Sequence, residues 1–449
     1  MSTMNKAVVT EAEATVSSAI RDLLTAKREQ AVIGVAPAGA GKSYAIGTAV
    51  LACREAKLRV AVATPTNEQA FALVSNLADR AGKERVTFVP SSSVTLPAEH
   101  ARKNLDVRKV KDVGGDPIVV GTLAKFGFAV ADGSLPAFDV LLIDEAYQAN
   151  AYQYYSIAGL APRHLLLGDS GQLAPFSTAP EGDRWRGLDE DPLLTAVEVL
   201  QRNHPSTRTH KLPITRRLDP RALPVARAFY PGHAFASAVN PGVRTMTLRP
   251  ATGKKGARVE DRALEHASLH GWAHLELPAA AVVSADEETL DLIVNLTRRL
   301  LQRAPEVRCE RKKTPAPLRE ADVAVAVSHN NQKNALRARL ADEGLGEVVV
   351  NTANKLQGLT FEVVIAWHPL AGLLDADAFH LDPGRLCVML TRHRHACIVV
   401  GRAGDRELVC GIPPATPSYV GWDSNPALDG WYVHEGVFRA LEEHRMSVG

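Results

Sequence analysis

The chain has 449 residues, 46% hydrophobic and 23% charged, an ordinary globular balance that predicts roughly two to three domains. A net charge of +2 at pH 7 excludes a global basic field, so any nucleic-acid surface must be a local groove. Five cysteines without CxxC spacing exclude a disulfide framework and a structural zinc, and no apolar run reaches membrane-spanning length; a soluble, cytoplasmic protein with no membrane partner is expected.

Residues 1–30 read as a helical segment ahead of the first strand candidate, "AVIGVA" (31–36). The turn Ala36-Pro37-Ala38-Gly39-Ala40-Gly41-Lys42-Ser43 follows it, and a helix-forming stretch comes next. A strand that breaks into a glycine-rich turn and then starts a helix aims several backbone N–H groups at one point. The positive end of the helix dipole lies there too, which suits a phosphate. Ala38, Gly39, Ala40 and Gly41 form the cradle, Lys42 would reach the terminal phosphates of a nucleotide, and Ser43 would ligate Mg²⁺.

The strand candidates continue with "RVAVAT", "RVTFV", "IVVGT", "VLLID" and "HLLLGD". "VLLID" delivers Asp144-Glu145, a carboxylate pair whose desolvation needs a compensating role. Asp144 suits a Mg²⁺ held through water, and Glu145 suits orienting and deprotonating an attacking water. "HLLLGD" repeats the design with Gly168-Asp169 and then Gln172, a neutral amide able to sense a γ-phosphate.

Beyond a polar linker candidate at residues 201–213, a second set reads "WAHLEL", "DVAVAVS", "EVVVNT", "EVVIAW", "LCVML" and "CIVVG". Continuous apolar strands separated by helices imply parallel sheets covered on both faces, hence an α/β fold with two tandem domains. Ligands in such sheets bind outside the carboxyl ends of the strands. His393, His395 and Cys397 alternate as residues of one strand face would; metal ligation is the lesser reading.

In this order the stretches resemble a superfamily 1 helicase, on the 5′→3′ branch that includes RecD-like and nonsense-mediated-decay-type helicases. "ATPTN" (63–67) resembles motif Ia, "VGTLAK" (120–125) motif Ic, "DEAYQ" motif II and "GDSGQLAP" motif III. "LPITRRLDP" (212–220) resembles motif IV, "NTANKLQGLTF" (351–361) motif V and "VMLTRHR" (388–394) motif VI, with "AFYPG" (228–232) and "VAVSHNNQ" (325–332) as further landmarks. The resemblance implies a minimal core of two RecA-like P-loop NTPase domains, at residues 31–205 and 206–403, with a C-terminal extension at 404–449.

It further implies ATP and Mg²⁺ as cofactors, an arginine finger at Arg217 and a second cleft arginine at Arg392. Arg216 stands where the family has a base-stacking tyrosine, and Gln357-Gly358 would couple the nucleotide to the strand track. The family's adenine-reading glutamine has no counterpart, with Glu13 and Gln30 as alternatives. Single-stranded DNA, with RNA as the alternative polymer, would meet Thr64, Pro65, Asn67, Thr122, Thr352, Asn354 and Lys355. The extension, with Trp422, Trp431 and Tyr432, offers a surface for a protein partner. The expectation is an ATP-dependent translocase or helicase running 5′→3′. The alternative is an NTP-driven switch that binds nucleic acid or a partner without unwinding, within a larger assembly.

Overall fold

The computed structural model describes residues 3–26, 30–175, 191–251, 258–282, 286–311, 314–411 and 430–449. Two parallel sheets dominate them. The first contains β1 (Gln30–Val35), β2 (Val60–Thr64), β3 (Val86–Val89), β4 (Leu105–Val107), β5 (Ile118–Thr122), β6 (Val140–Asp144), β7 (Arg163–Gly168) and β8 (Arg208–Lys211), in the order β4-β3-β5-β2-β6-β7-β1-β8. The second contains β9 (Trp272–Leu277), β10 (Val323–Val327), β11 (Val349–Thr352), β12 (Phe361–Trp367), β13 (His393–Arg402) and β14 (Arg445–Ser447), in the order β11-β10-β12-β13-β9-β14. Every pairing within these two sheets is parallel.

The apolar runs explain the architecture. Successive residues of a strand point to opposite faces, so a strand buried on both sides must be apolar throughout. Val60 and Val62 of β2 join one core while Ala61 and Ala63 join another, and β6 divides the same way, Val140 and Leu142 against Leu141 and Ile143. In the second sheet Val364 and Ala366 of β12 face one core and Val363 and Ile365 the other. Helices α1 (Lys6–Thr25), α2 (Lys42–Glu55), α3 (Asn67–Arg80) and α4 (Leu123–Ala131) cover the first sheet. The second is covered in part by α5 (Asn330–Asp342), α6 (Ala353–Leu356), α7 (Pro383–Leu390) and α8 (Gly430–Leu441).

Three readings change. "LCVML" is not a strand but the body of α7, with Leu386 through Leu390 all buried. Asp382 caps this helix by accepting from the Gly384 and Arg385 amides, and Pro383 occupies its first position. A helix buried all round has no polar face, so its sequence reads like a core strand. Arg392 therefore follows a helix and precedes β13. Second, the linker candidate 201–213 contains β8, which pairs with β1 in the first sheet. Third, β13 carries a bulge: Phe361 pairs His393 but Val363 pairs Ala396, so an extra residue breaks the alternation of His393, His395 and Cys397. His395 turns to Glu362 (2.8 Å) and the Arg308 carbonyl (2.9 Å), and among the described residues no group of three His, Cys, Asp or Glu could hold a metal.

The C-terminal segment returns to the fold, because β14 pairs with β9. Trp431 packs against the small core of Leu370, Val409 and Phe438 while Tyr432 stays exposed; Trp422 lies outside the described residues. Among the described residues no helix is long and apolar enough to cross a membrane.

Candidate nucleotide cleft and nucleic-acid edge

Strand order brings the predicted chemistry together. The sheet places β6, β7 and β1 side by side, so the turns after all three meet at one carboxyl edge. Ala36 donates its amide to the Gly168 carbonyl (2.8 Å), tying the loop after β1 to the end of β7. Gly39 and Gly41 have φ of 74° and 94°, a region other residues occupy only under strain. A Cβ on Gly39 would also lie 2.3 Å from the Cβ of Arg217, so glycine is required twice over. Gly41 caps α2 without a side-chain acceptor, which leaves the first amides of a 14-residue helix and its dipole to an anion. Ala38 and Ala40 are buried in this loop, and Ser43 is the second residue of the helix.

Lys42 stands between three carboxylates. Its ammonium lies 3.3 Å from Glu145 and 3.8 Å from Asp169. Burial alone would discharge it, but Glu145, Asp169 and Asp144 hold it above the ordinary lysine range. Asp144 moves the other way: burial, then the Glu145 charge beside it, raise it above the usual carboxylate range. Such a carboxylate is short of positive charge, as a Mg²⁺ ligand set would be before its ion. Glu145 sits at φ 55°, a strained conformation at the end of β6 that turns it toward Lys42. Gln172 donates to Asp169 and accepts from Gln357 (3.1 Å), so one amide joins the two halves of the chain. Gly358, the next residue after Gln357, is exposed with φ 82°, and a Cβ there would meet open space.

The arginines close the cleft from the far side. Arg216 donates its amide to the Gly39 carbonyl (2.8 Å), and its guanidinium lies 5.8 Å from the centre of the Tyr44 ring. Arg217 donates to Thr360 (2.9 Å) and to the Thr391 carbonyl (3.2 Å). Arg392 is fully buried, donates to the Val388 carbonyl (3.2 Å), and keeps Nη1 without a partner. Burial, then the nearby Arg392 charge, pull Arg217 down to about 9. Two neighbouring guanidiniums, one fully buried and one half-buried, repel unless a polyanion lies between them, and a triphosphate is such an anion.

Sequence reasoning missed Tyr230, quoted only within "AFYPG". Its buried hydroxyl donates to Asp169 (2.9 Å) and accepts from the Ala38 amide (2.9 Å). A Cβ on Gly171 would lie 2.6 Å from its ring. A buried tyrosine requires partners for its hydroxyl, which is the one signal the sequence held. Thr360 and Thr391 are the other cleft residues absent from the expected set, and Asp169 was named at its strand end without a role.

The expected nucleic-acid residues fall in two groups. Thr64 and Thr122 are paired in register at the carboxyl ends of β2 and β5. Both are buried; the Thr64 hydroxyl donates to the Thr66 carbonyl (3.0 Å), and Thr122 caps α4 by accepting from the Lys125 amide (3.2 Å). Pro65 and Asn67 follow at the partly open surface, where Asn67 begins α3 and its buried Oδ1 has no partner. In the second sheet Thr352 ends β11, and Asn354 and Lys355 are exposed on α6.

Residues 14–210 match one AAA domain family model, and residues 279–404 match another. No curated protein matches the chain. Similar solved structures include PRRSV helicase, at 16% identity over 87% of this chain and 54% of that one, with a TM-score of 0.42. Arterivirus nonstructural protein 10, a helicase solved with DNA, is 16% identical over 88% of this chain and 64% of its own, with a TM-score of 0.45. S. cerevisiae Dbp5, bound to Nup159, Gle1, IP6 and ADP, is 11% identical over 98% and 94%, with a TM-score of 0.46. The chain thus spans 54% and 64% of the two viral helicases' lengths. Two AAA domain matches and two parallel sheets covered by helices give the chain the α/β fold of P-loop NTPases.

Proposed function

We propose that the chain is an ATP-driven single-strand nucleic-acid translocase of superfamily 1 type, moving 5′→3′ and acting as a helicase on DNA. The single observation that carries this reading is the cleft itself: Lys42, held with Asp144 and Glu145 in one half, feels the charge of Arg217 from the other, and Arg392 lies beside Arg217. A P-loop enzyme that only bound nucleotide would have no need of two arginines supplied from beyond its first sheet.

In the proposed cycle the loop amides and Lys42 hold the phosphates, exchanging the ammonium's contacts with Glu145 and Asp169 for phosphate oxygens. Mg²⁺, when bound by Ser43 and Asp144, supplies positive charge against the phosphate oxygens. Glu145, released from Lys42, accepts the proton of a water as its oxygen bonds to the γ-phosphorus and the bond to ADP breaks. Arg217 and Arg392 stabilise the charge that develops on the transferring group. Loss of phosphate removes what holds the arginines to the loop, and Gln172 passes that change to Gln357. Thr64, Pro65, Asn67 and Thr122 would grip the strand in one half, Thr352, Asn354 and Lys355 in the other, so opening and closing moves it.

The deciding experiment is ATP hydrolysis with and without single-stranded DNA and RNA, with Lys42→Ala and Glu145→Gln as controls. The expected outcome is stimulation by one polymer, with roughly 10²–10⁴-fold lower turnover in Glu145→Gln but nucleotide binding retained. A rate indifferent to either polymer sinks the motor reading and favours a partner-driven switch.

A further inference from the structure

Between β12 and α7 the chain carries Phe379, in the short helix Ala378–Leu381, with 38% of its surface exposed. An exposed phenylalanine alone is unremarkable, but this ring is held by two neighbours. The Arg385 guanidinium lies 3.6 Å over it, and Arg385 also donates to the Phe379 carbonyl (3.0 Å). The His329 imidazole stacks with it at 5.0 Å and 25°. His329 is itself fixed by His380 (3.1 Å), which is fixed by Asp377 (2.7 Å). Burial, then the charges of His380 and Arg385, hold His329 below the ordinary histidine range, so it stacks as a neutral ring. A phenyl ring 38% exposed, with a buried guanidinium over it and a half-buried imidazole stacked on it, offers its exposed part to another flat ring.

Its place in the fold says which ring. His329 caps α5 just beyond the carboxyl end of β10, whose Val327 is in register with Thr352 of β11. It thus shares an edge with Thr352, Asn354 and Lys355. On the other side Gly384 touches the first half, where a Cβ would lie 2.7 Å from the Gln172 carbonyl. The nearby acids are engaged, Asp377 by His380 and Asp382 at the start of α7. The stack therefore stands on the carboxyl edge, between the expected strand contacts of the second half and the amide that joins the halves.

We infer that Phe379, backed by Arg385 and extended by His329, is a base-stacking step for single-stranded nucleic acid, taking one base face without regard to its identity. This rests on the proposed nucleic-acid function, which supplies the backbone contacts the stack lacks. Stacking on an aromatic platform tolerates any base, because every base has a π-face.

The test is fluorescence anisotropy of the full chain with a labelled oligothymidylate and with an abasic oligonucleotide of the same length, both in a non-hydrolysable ATP analogue. Wild type should prefer the base-bearing strand by about 5- to 150-fold, the range for one stacked base. Phe379→Ala should bind the abasic strand like wild type and lose most of that preference, and Phe379→Tyr should restore it. If Phe379→Ala keeps the full preference, or weakens both strands equally, the inference is overturned while the nucleic-acid reading stands. If wild type binds neither strand, the proposed function fails and the inference with it. A ring serving an apolar protein partner would leave both strands unaffected by the substitution, which again overturns it.

Discussion

Arg392 shows how a single residue can serve function against stability. Its guanidinium is fully buried, with one terminal nitrogen unpartnered, and lies close enough to Arg217 to depress it. Without a triphosphate this arrangement is unfavourable, because an uncompensated buried charge opposes folding. Arg392→Gln should therefore melt at the same temperature as the wild type or higher without nucleotide, yet gain less from an ATP analogue. Its hydrolysis rate should fall by roughly 10³–10⁵-fold, the range for a transition-state arginine. Differential scanning fluorimetry with and without nucleotide checks this, and a variant that melts lower in both conditions sinks it. The sequence revealed such residues unequally. Lys42, Ser43, Asp144 and Glu145 were legible because their chemistry lies within consecutive residues. Arg217 and Arg392 rested on resemblance, since only the fold brings residues 175 apart in the sequence to one point.

At the scale of elements, the apolar strands were legible because burial on both faces leaves a pattern nothing polar interrupts. The same logic failed for α7, whose all-round burial erases the helical period; Asp382-Pro383 was the signal that it was a helix. The segment carrying Tyr230 was quoted, but the role of its hydroxyl was missed because the partners of that hydroxyl lie 61 and 192 residues away. That segment packs in the core of the second half together with Ala38 and Leu173 of the first. Tyr230 thus fastens the glycine-rich loop to the core of the second half through one oxygen. Tyr230→Phe keeps the ring against Gly171 but strands a buried amide and weakens the hold on Asp169, at a cost of about 1–3 kcal/mol. Chemical denaturation should show that loss, and the Michaelis constant for ATP should rise more than turnover falls. Unchanged stability and affinity would mean that the hydroxyl's two contacts carry no weight.

On the scale of the whole molecule the two halves differ in how they meet acid. The second half buries His274, His368 and His434 around Phe438, with Asp405 against the Gly401 backbone. Burial pushes His274 down to about 4 and His434 to about 3, and drives His368 well below its ordinary value. Unfolded, each takes a proton near pH 6.5, so their stabilisation is complete above that pH. It is lost as pH falls toward the folded values, by about 1.4 kcal/mol per pH unit for each ring. Asp405 opposes them: burial raises it to about 7, so its contribution is present below pH 3.9 and fades as pH rises through 7. Between about pH 6.5 and 4 the three rings outweigh the one carboxyl, and the second half should open first. Tryptophan fluorescence, which includes the buried Trp272 and Trp367 of that half, should then change at a higher pH than the helical circular-dichroism signal disappears. His434→Leu removes one proton from the balance and should shift the fluorescence midpoint to lower pH. An unmoved midpoint would mean that these histidines do not govern the acid limit of the fold. A motor whose halves must part and close needs each to stay folded while the contacts between them change. On this account, mild acid attacks the second half, which carries Phe379 and Arg392, before it reaches the glycine-rich loop.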